Sequence, residues 1–313
     1  MLNNLRRFIS PLKPLNLSCR IFSKMAYSIV EKGSLFSEDY RVFFKNENGF
    51  ISPLHDIPLY ADEEKKIFNM VVEIPRWTNA KMEINLNECL NPIRQDIKKG
   101  VPRFVPNCFP HHGYIWNYGA LPQTWEDPNY VDENTKSKGD NDPIDCIEIG
   151  YRVAKRGEIV QVKVLGTVAL IDEGETDWKI ITINVNDPLA DQINTIADIE
   201  KHYPGLMKAT VEWFRIYKIP DGKPENQFAF NGEPKPAEFA LKIIAEVHEY
   251  WKKLVSREAE GKNISLVHTT LADTEGLIST AEAESLVSNC PSPQPSKSVD
   301  SIVDKWHFIR LKY

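Results

Sequence analysis

The segment Gly139-Asp140-Asn141-Asp142-Pro143-Ile144-Asp145-Cys146-Ile147-Glu148 limits this chain more than any other stretch. It packs three carboxylates into six residues, holds them with a proline and runs on into an apolar, strand-like sequence. Like charges this close repel, so a fold that keeps them together compensates them with cations. An EF-hand calcium loop beginning at Asp140 requires Gly at its sixth place and Glu at its twelfth. Those places hold Asp145 and Tyr151, which excludes that loop type. The plainer alternative is a solvated acidic turn.

Two further mixtures of charge weigh against the plain turn. Asp172, Glu173, Glu175 and Asp177 surround a turn centred on Gly174, and Lys179 follows. In a strand Asp177 and Lys179 share one face, and so do Lys81 and Glu83. Hard oxygen ligands drawn from several segments suit Mg²⁺, particularly where it keeps waters and meets phosphate. Cations among the carboxylates imply an anionic substrate. Carboxylates, Lys, Arg and Tyr together are the parts of a phosphoryl-transfer site.

The pattern predicts strands first and helices late. Tyr40–Lys45, Met70–Ile74, Lys81–Leu86, Gly157–Ile171 and Lys179–Val185 are rich in β-branched and aromatic residues. Asp172-Glu173-Gly174-Glu175 joins the last two as a hairpin. Helices are expected over Thr195–Tyr203, Leu206–Phe214 and Lys235–Ser256, the last with Phe239, Ile243, Val247, Tyr250, Trp251 and Leu254 at helical spacing. Cys290-Pro291-Ser292-Pro293-Gln294-Pro295-Ser296 reads as a linker. Trp306, Phe308 and Leu311 alternate beyond it, which predicts a strand docking back on the body. The fold class is mainly β with flanking helices (α+β), one domain over residues 25–313 with a C-terminal extension from about residue 257.

Charge narrows the partners. With 38 Lys and Arg against 44 Asp and Glu, the net charge is −6, which argues against a general binder of nucleic acid or anionic lipid. Five cysteines without a CxxC pair are neither a disulfide framework nor a thiolate zinc site. The first 24 residues carry Arg6, Arg7, Lys13, Arg20 and Lys24 and no acid, the composition of a mitochondrial transit peptide. A disordered basic tail is the other reading of this leader, and Met25 is a candidate second start. Phe104 to Trp125 lacks Asp, Glu, Lys and Arg but holds Pro106, Pro110 and Pro122, so no transmembrane segment is expected there.

His111 and His112 are adjacent, which rarely suits one zinc ion. Cys146 reads as a small strand residue rather than a nucleophile. Tyr114, Trp116 and Tyr118 at period two suit a base-stacking platform, but no basic stripe accompanies them. A metal-dependent phosphatase of organic phosphates is the competing enzyme.

The motif Gly139-Asp140-Asn141-Asp142-Pro143-Ile144-Asp145 resembles the signature of the family I soluble inorganic pyrophosphatases. Val72-Glu73-Ile74-Pro75-Arg76, Pro110-His111-His112-Gly113-Tyr114, Asp172-Glu173-Gly174-Glu175-Thr176-Asp177 and Phe214-Arg215-Ile216-Tyr217-Lys218 agree with it, from about Tyr40 to about Leu254. The leader and tail resemble the eukaryotic mitochondrial type. The resemblance implies hydrolysis of pyrophosphate to two orthophosphates by direct attack of water on an OB-like closed five-stranded barrel. It implies several Mg²⁺ ions, with Mn²⁺ or Zn²⁺ as substitutes, held by Asp140, Asp145 and Asp177, then by Asp172 and Glu83. Asp142 is implied as the base and Tyr114 as the proton donor. Lys81, Arg103, Tyr118, Lys179, Tyr217 and Lys218 are implied as the substrate-binding set, with Glu73 supporting the cations. A homodimer in the mitochondrial matrix, or associated with the inner membrane, completes the expectation.

Overall fold

The computed structural model describes residues 26–310. The transit-peptide reading of residues 1–24 and Leu311 of the terminal alternation lie outside them.

Five strands carry the site: β1 (Ile67–Ile74), β2 (Asn117–Ala120), β3 (Asp145–Glu148), β4 (Ile159–Asp172) and β5 (Glu175–Asn184). β1 pairs antiparallel with β2 and β4, β2 antiparallel with β3, and β4 antiparallel with β5. β3 runs parallel to β5, with Asp145 opposite Lys179. The β4–β5 hairpin turns at Glu173 and Gly174 as expected, both with positive φ.

These strands are buried on both faces, so their central residues read as near-continuous apolar runs rather than as an alternation. On one side Leu165, Val168, Ile181 and Ile183 join Trp116, Trp213 and Phe214. On the other, Val160, Val162, Ala169, Trp178 and Ile180 meet Ala240, Ile243, Ile244 and Val247 of a long helix. A second sheet of Ser28–Lys32, Arg41–Asn46, Gly49–Ile51, Met82–Ile84 and Ile93–Gln95 presents Lys81 and Glu83 beside the first.

The helices are α1 (Ile196–His202), α2 (Leu206–Ile216), α3 (Ala237–Val255) and α4 (Thr280–Ser288). The first three match the expected spans to within two residues. α4 was not expected, because only Ala283 and Val287 of it are buried, against Phe43, Phe50 and Leu90. Its capping box, Ser279 with Glu282, was the available signal.

The described part of the tail is tied to the body at several points. Asp56, buried, accepts the amides of Thr269 and Thr270 and the Thr270 hydroxyl. The proline-rich stretch is an ordered strap rather than a free linker: Gly33 N–H donates to Pro291 O, and Lys297 N–H to Leu35 O. Trp306–His307 pairs with Asn107–Cys108, so a terminal strand does dock. Its rings do not enter the core, however: Trp306 is 39% and Phe308 77% exposed. No helix of the described residues is long and apolar enough to cross a membrane.

Candidate active site

The parallel register of β3 on β5 sets Asp145 beside Lys179, and the period of β5 puts Asp177 on the same face. The Lys179 ammonium therefore donates to both carboxylates and to the Tyr118 hydroxyl at 3.0 Å. Tyr118 in turn donates to Asp145. Lys179 and Asp177 are buried. Burial works against the charge of Lys179, but Asp145 and Asp177 outweigh it and hold the ammonium well above the usual lysine range. Desolvation instead pushes Asp177 up to about 7.

The loop before β3 folds back on itself. Asp140 accepts the Asp142 amide at 2.9 Å, and the Glu126 backbone exchanges hydrogen bonds with Asn141 and Asp142, each at 2.9 Å. Gly139 permits this approach, since a Cβ there would lie 2.4 Å from the Glu126 carbonyl. Carboxylate oxygens of Glu126, Asp140 and Asp177 thereby lie within 4.8 Å of one another. Glu126 is 3% exposed; its Oε1 accepts the Trp178 amide, and its Oε2 has no partner. Burial first, then the neighbouring carboxylates, drives Glu126 and Asp140 well above the ordinary range. Asp142 borders the pocket between them and the second sheet, where partial loss of hydration, followed by Glu83, raises it to about 7.

The other cations of the expected set are each already paired. Lys81 contacts Glu83, Arg103 Nη1 donates to Asp96 at 3.0 Å, and Lys218 Nζ meets both oxygens of Asp172 at 2.5 Å. Buried Glu73 accepts the Ile84 amide at 2.7 Å, which fixes the strand carrying Lys81 and Glu83. Tyr114 packs on Tyr118 and Trp213, and burial, against the pull of Lys81 and Arg103, raises its hydroxyl to about 12. Tyr217 stacks on Trp213, and burial, then Asp172, holds its hydroxyl well above the usual tyrosine range. A pocket bordered by Glu73, Lys81, Glu83, Tyr118, Asp142 and Asp145 opens among them.

Hard oxygen donors, mutual repulsion and an unpartnered buried oxygen on Glu126 make a set that fits a divalent cation. The inorganic pyrophosphatase family model matches residues 70–252. An inorganic pyrophosphatase of Drosophila melanogaster is 62% identical over 91% of this chain and 85% of its own length. One from Zygosaccharomyces bailii is 59% identical over 91% and 99%. The solved inorganic pyrophosphatase of Schistosoma japonicum superposes with a TM-score of 0.86 at 50% identity, covering 90% of this chain and all of that one.

The chain belongs to the inorganic pyrophosphatase family. It is a hydrolase of inorganic pyrophosphate. Of the residues drawn from the resemblance, Glu73, Lys81, Glu83, Tyr118, Asp142 and Asp145 border the pocket and Asp140 and Asp177 join Glu126, while Lys179, Tyr114, Arg103, Tyr217, Asp172 and Lys218 are tied to these through contacts or mutual charge effects. Glu126 was missed, because it follows a charge-free stretch in a loop and has no acidic motif of its own. Its only signal was the closing Trp125-Glu126-Asp127 of that stretch.

The side readings fare differently. His112 bonds the Trp77 carbonyl at 3.1 Å, and neither His111 nor His112 joins a metal-like group among the described residues. Cys146 is buried against Thr182, and desolvation pushes its thiol up, away from nucleophilic reactivity. Tyr114 and Trp116 are buried, so they offer no open stacking face.

Proposed function

We propose that this pyrophosphatase works by direct attack of water on pyrophosphate, without a phosphoenzyme, with the roles expected from the sequence. The observation that carries the reading is the bridging of Asp145 and Asp177 by Lys179 beside the Asp140–Glu126 group. Asp140, Asp145 and Asp177 would hold the first Mg²⁺ ions, with Asp172 and Glu83 taking those that arrive with substrate. When bound, such ions neutralise phosphoryl charge and lower the pKa of water. Asp142 accepts the proton of the attacking water from its place at the pocket rim. Lys81, Arg103, Lys179, Tyr118, Tyr217 and Lys218 hold phosphoryl oxygens; carboxylates now bonded to all of them but Tyr217, which stacks on Trp213, keep them ordered until substrate displaces them. Tyr114, held protonated, donates to the leaving phosphate. Glu73 keeps the Lys81 strand in place.

The ring of pairings from β1 through β2, β3, β5 and β4 back to β1 supports an OB-like closed five-stranded barrel as the scaffold. An exposed aromatic surface of Trp77, Phe109, Trp306 and Phe308 supports a homodimer; Phe109 lies 5.9 Å from Trp306 and 5.2 Å from Phe308. The basic leader supports a mitochondrial location, where removal of pyrophosphate would drive biosynthetic reactions.

Phosphate release from pyrophosphate with and without Mg²⁺, against release from a phosphomonoester, tests the mechanism. Metal-independent release, or equal release from both substrates, rejects it. Import of the full chain compared with a chain lacking residues 1–24 tests the location; equal mitochondrial enrichment rejects it.

A further inference from the structure

We propose that Lys98 and Asp221 form a latch that sets the two phosphate-holding segments against each other, so that Arg103 and Lys218 meet one bound pyrophosphate. The proposal rests on the substrate-binding roles given above to Arg103 and Lys218.

Arg103 ends the stem of a small hairpin. Its amide donates to the Asp96 carbonyl at 2.8 Å and its guanidinium to the Asp96 carboxylate. Beyond that base, Ile97–Lys98 pairs with Val101–Pro102, and Lys99 and Gly100 make the turn. Lys98, Lys99, Gly100 and Val101 are all exposed. A ladder this short does not hold its own direction. Among the described residues, one hydrogen bond or ion pair ties residues 97–102 to the rest of the chain: Lys98 Nζ to Asp221 Oδ2, at 2.8 Å.

Asp221 closes the turn that Lys218 opens. The Asp221 amide donates to the Lys218 carbonyl at 3.0 Å, and the Lys223 amide to the same oxygen at 3.3 Å. The Lys218 side chain meanwhile bonds Asp172 inside the site. The latch therefore joins a hairpin whose stem delivers one cation to a turn whose first residue delivers another. Its side chains are 41% and 27% exposed, so the pair adds little to global stability and is removable without unfolding. Its effect falls on orientation, where small misplacements of a binding group weaken catalysis strongly. Lys98 and Asp221 are thus positioning residues.

The test is steady-state pyrophosphate hydrolysis at saturating Mg²⁺ by the full chain and by Lys98→Ala, Asp221→Ala, the double alanine variant and the charge exchange Lys98→Asp with Asp221→Lys. Each single alanine variant is expected to raise KM about two- to fivefold with a smaller change in kcat, and the double to be no worse than the worse single. The charge exchange is expected to return KM to within about twofold of the parent chain. Added salt should narrow the gap between parent and singles. Unchanged KM, single effects that multiply in the double, or an exchanged chain no better than the singles would each overturn the latch. Arg103→Ala and Lys218→Ala in the same assay keep the layers apart. If these two impair hydrolysis while the latch variants match the parent, the latch alone fails; if they have no effect, the binding roles beneath it fail.

Discussion

Glu126 and Asp177 bring carboxylate oxygens to within 4.8 Å of each other inside the protein, one from a loop and one from β5, with Asp140 completing the group. Buried like charges at that range repel and gain greatly from a cation. Glu126→Gln should therefore raise the thermal midpoint of the metal-free protein and weaken Mg²⁺ binding by about 10- to 100-fold, the range seen when supporting groups of metal sites are removed. Calorimetric titration with Mg²⁺ and melting with and without the ion measure both. An unchanged affinity would remove Glu126 from the metal site.

Asp145 and Asp142 separate metal holding from water activation. Asp145→Asn loses a negative ligand, so its activity should recover in part as Mg²⁺ is raised. Asp142→Asn keeps the shape but accepts no proton, so its defect should persist at saturating Mg²⁺ and ease as pH rises and hydroxide forms unaided. Rate measurements over a grid of Mg²⁺ and pH decide it. Full rescue of Asp142→Asn by Mg²⁺, with none for Asp145→Asn, reverses the assignment.

His55 is expected to make the fold acid-sensitive. The buried ring accepts from Trp251 Nε1 at Nδ1 and faces the Ser265 carbonyl at Nε2, each at 3.0 Å, which suits the neutral form protonated on Nε2. Burial pushes His55 down to about 4, against an ordinary value near 6.5. The unfolded chain then binds the extra proton first, so this contribution is complete above about pH 6.5 and is lost as pH falls toward 4, about 3 kcal/mol in all. Urea midpoints between pH 7.5 and 4.5 should fall more steeply for the parent than for His55→Gln. Parallel slopes would dismiss the effect.

The aromatic surface at the C-terminal strand predicts self-association. Phe308→Asp places a charge on a side chain that is 77% exposed, so the fold should persist while the dimer weakens by about tenfold or more. Sedimentation velocity across micromolar concentrations reads this. A parent chain that is monomeric, or a variant that dimerises equally, ends the proposal.

Much of the site was legible because its charges cluster locally. Asp140, Asp142 and Asp145 lie within six residues, and Asp172, Asp177 and Lys179 flank one hairpin, so proximity along the chain gathers them, and strand period places Asp177 with Lys179 and Lys81 with Glu83. The three helices expected from apolar stripes, and the strand-then-helix order, follow from the same short-range periodicity. α4 escaped because it buries too few side chains to leave a stripe.

What the sequence by itself determined was therefore which residues are neighbours along the chain and which face each presents: the acidic turn, the Asp177–Lys179 face, the Lys81–Glu83 face and the helical stripes. Tertiary structure alone decided which segments meet. The parallel register of β3 on β5 puts Asp145 against Lys179, the close packing at Gly139 admits Glu126, and the turn after Lys218 comes within reach of Lys98. Periodicity records the surface a segment must bury but carries no information about its partner. That choice emerges only when all apolar faces are buried and all buried charges are compensated at once.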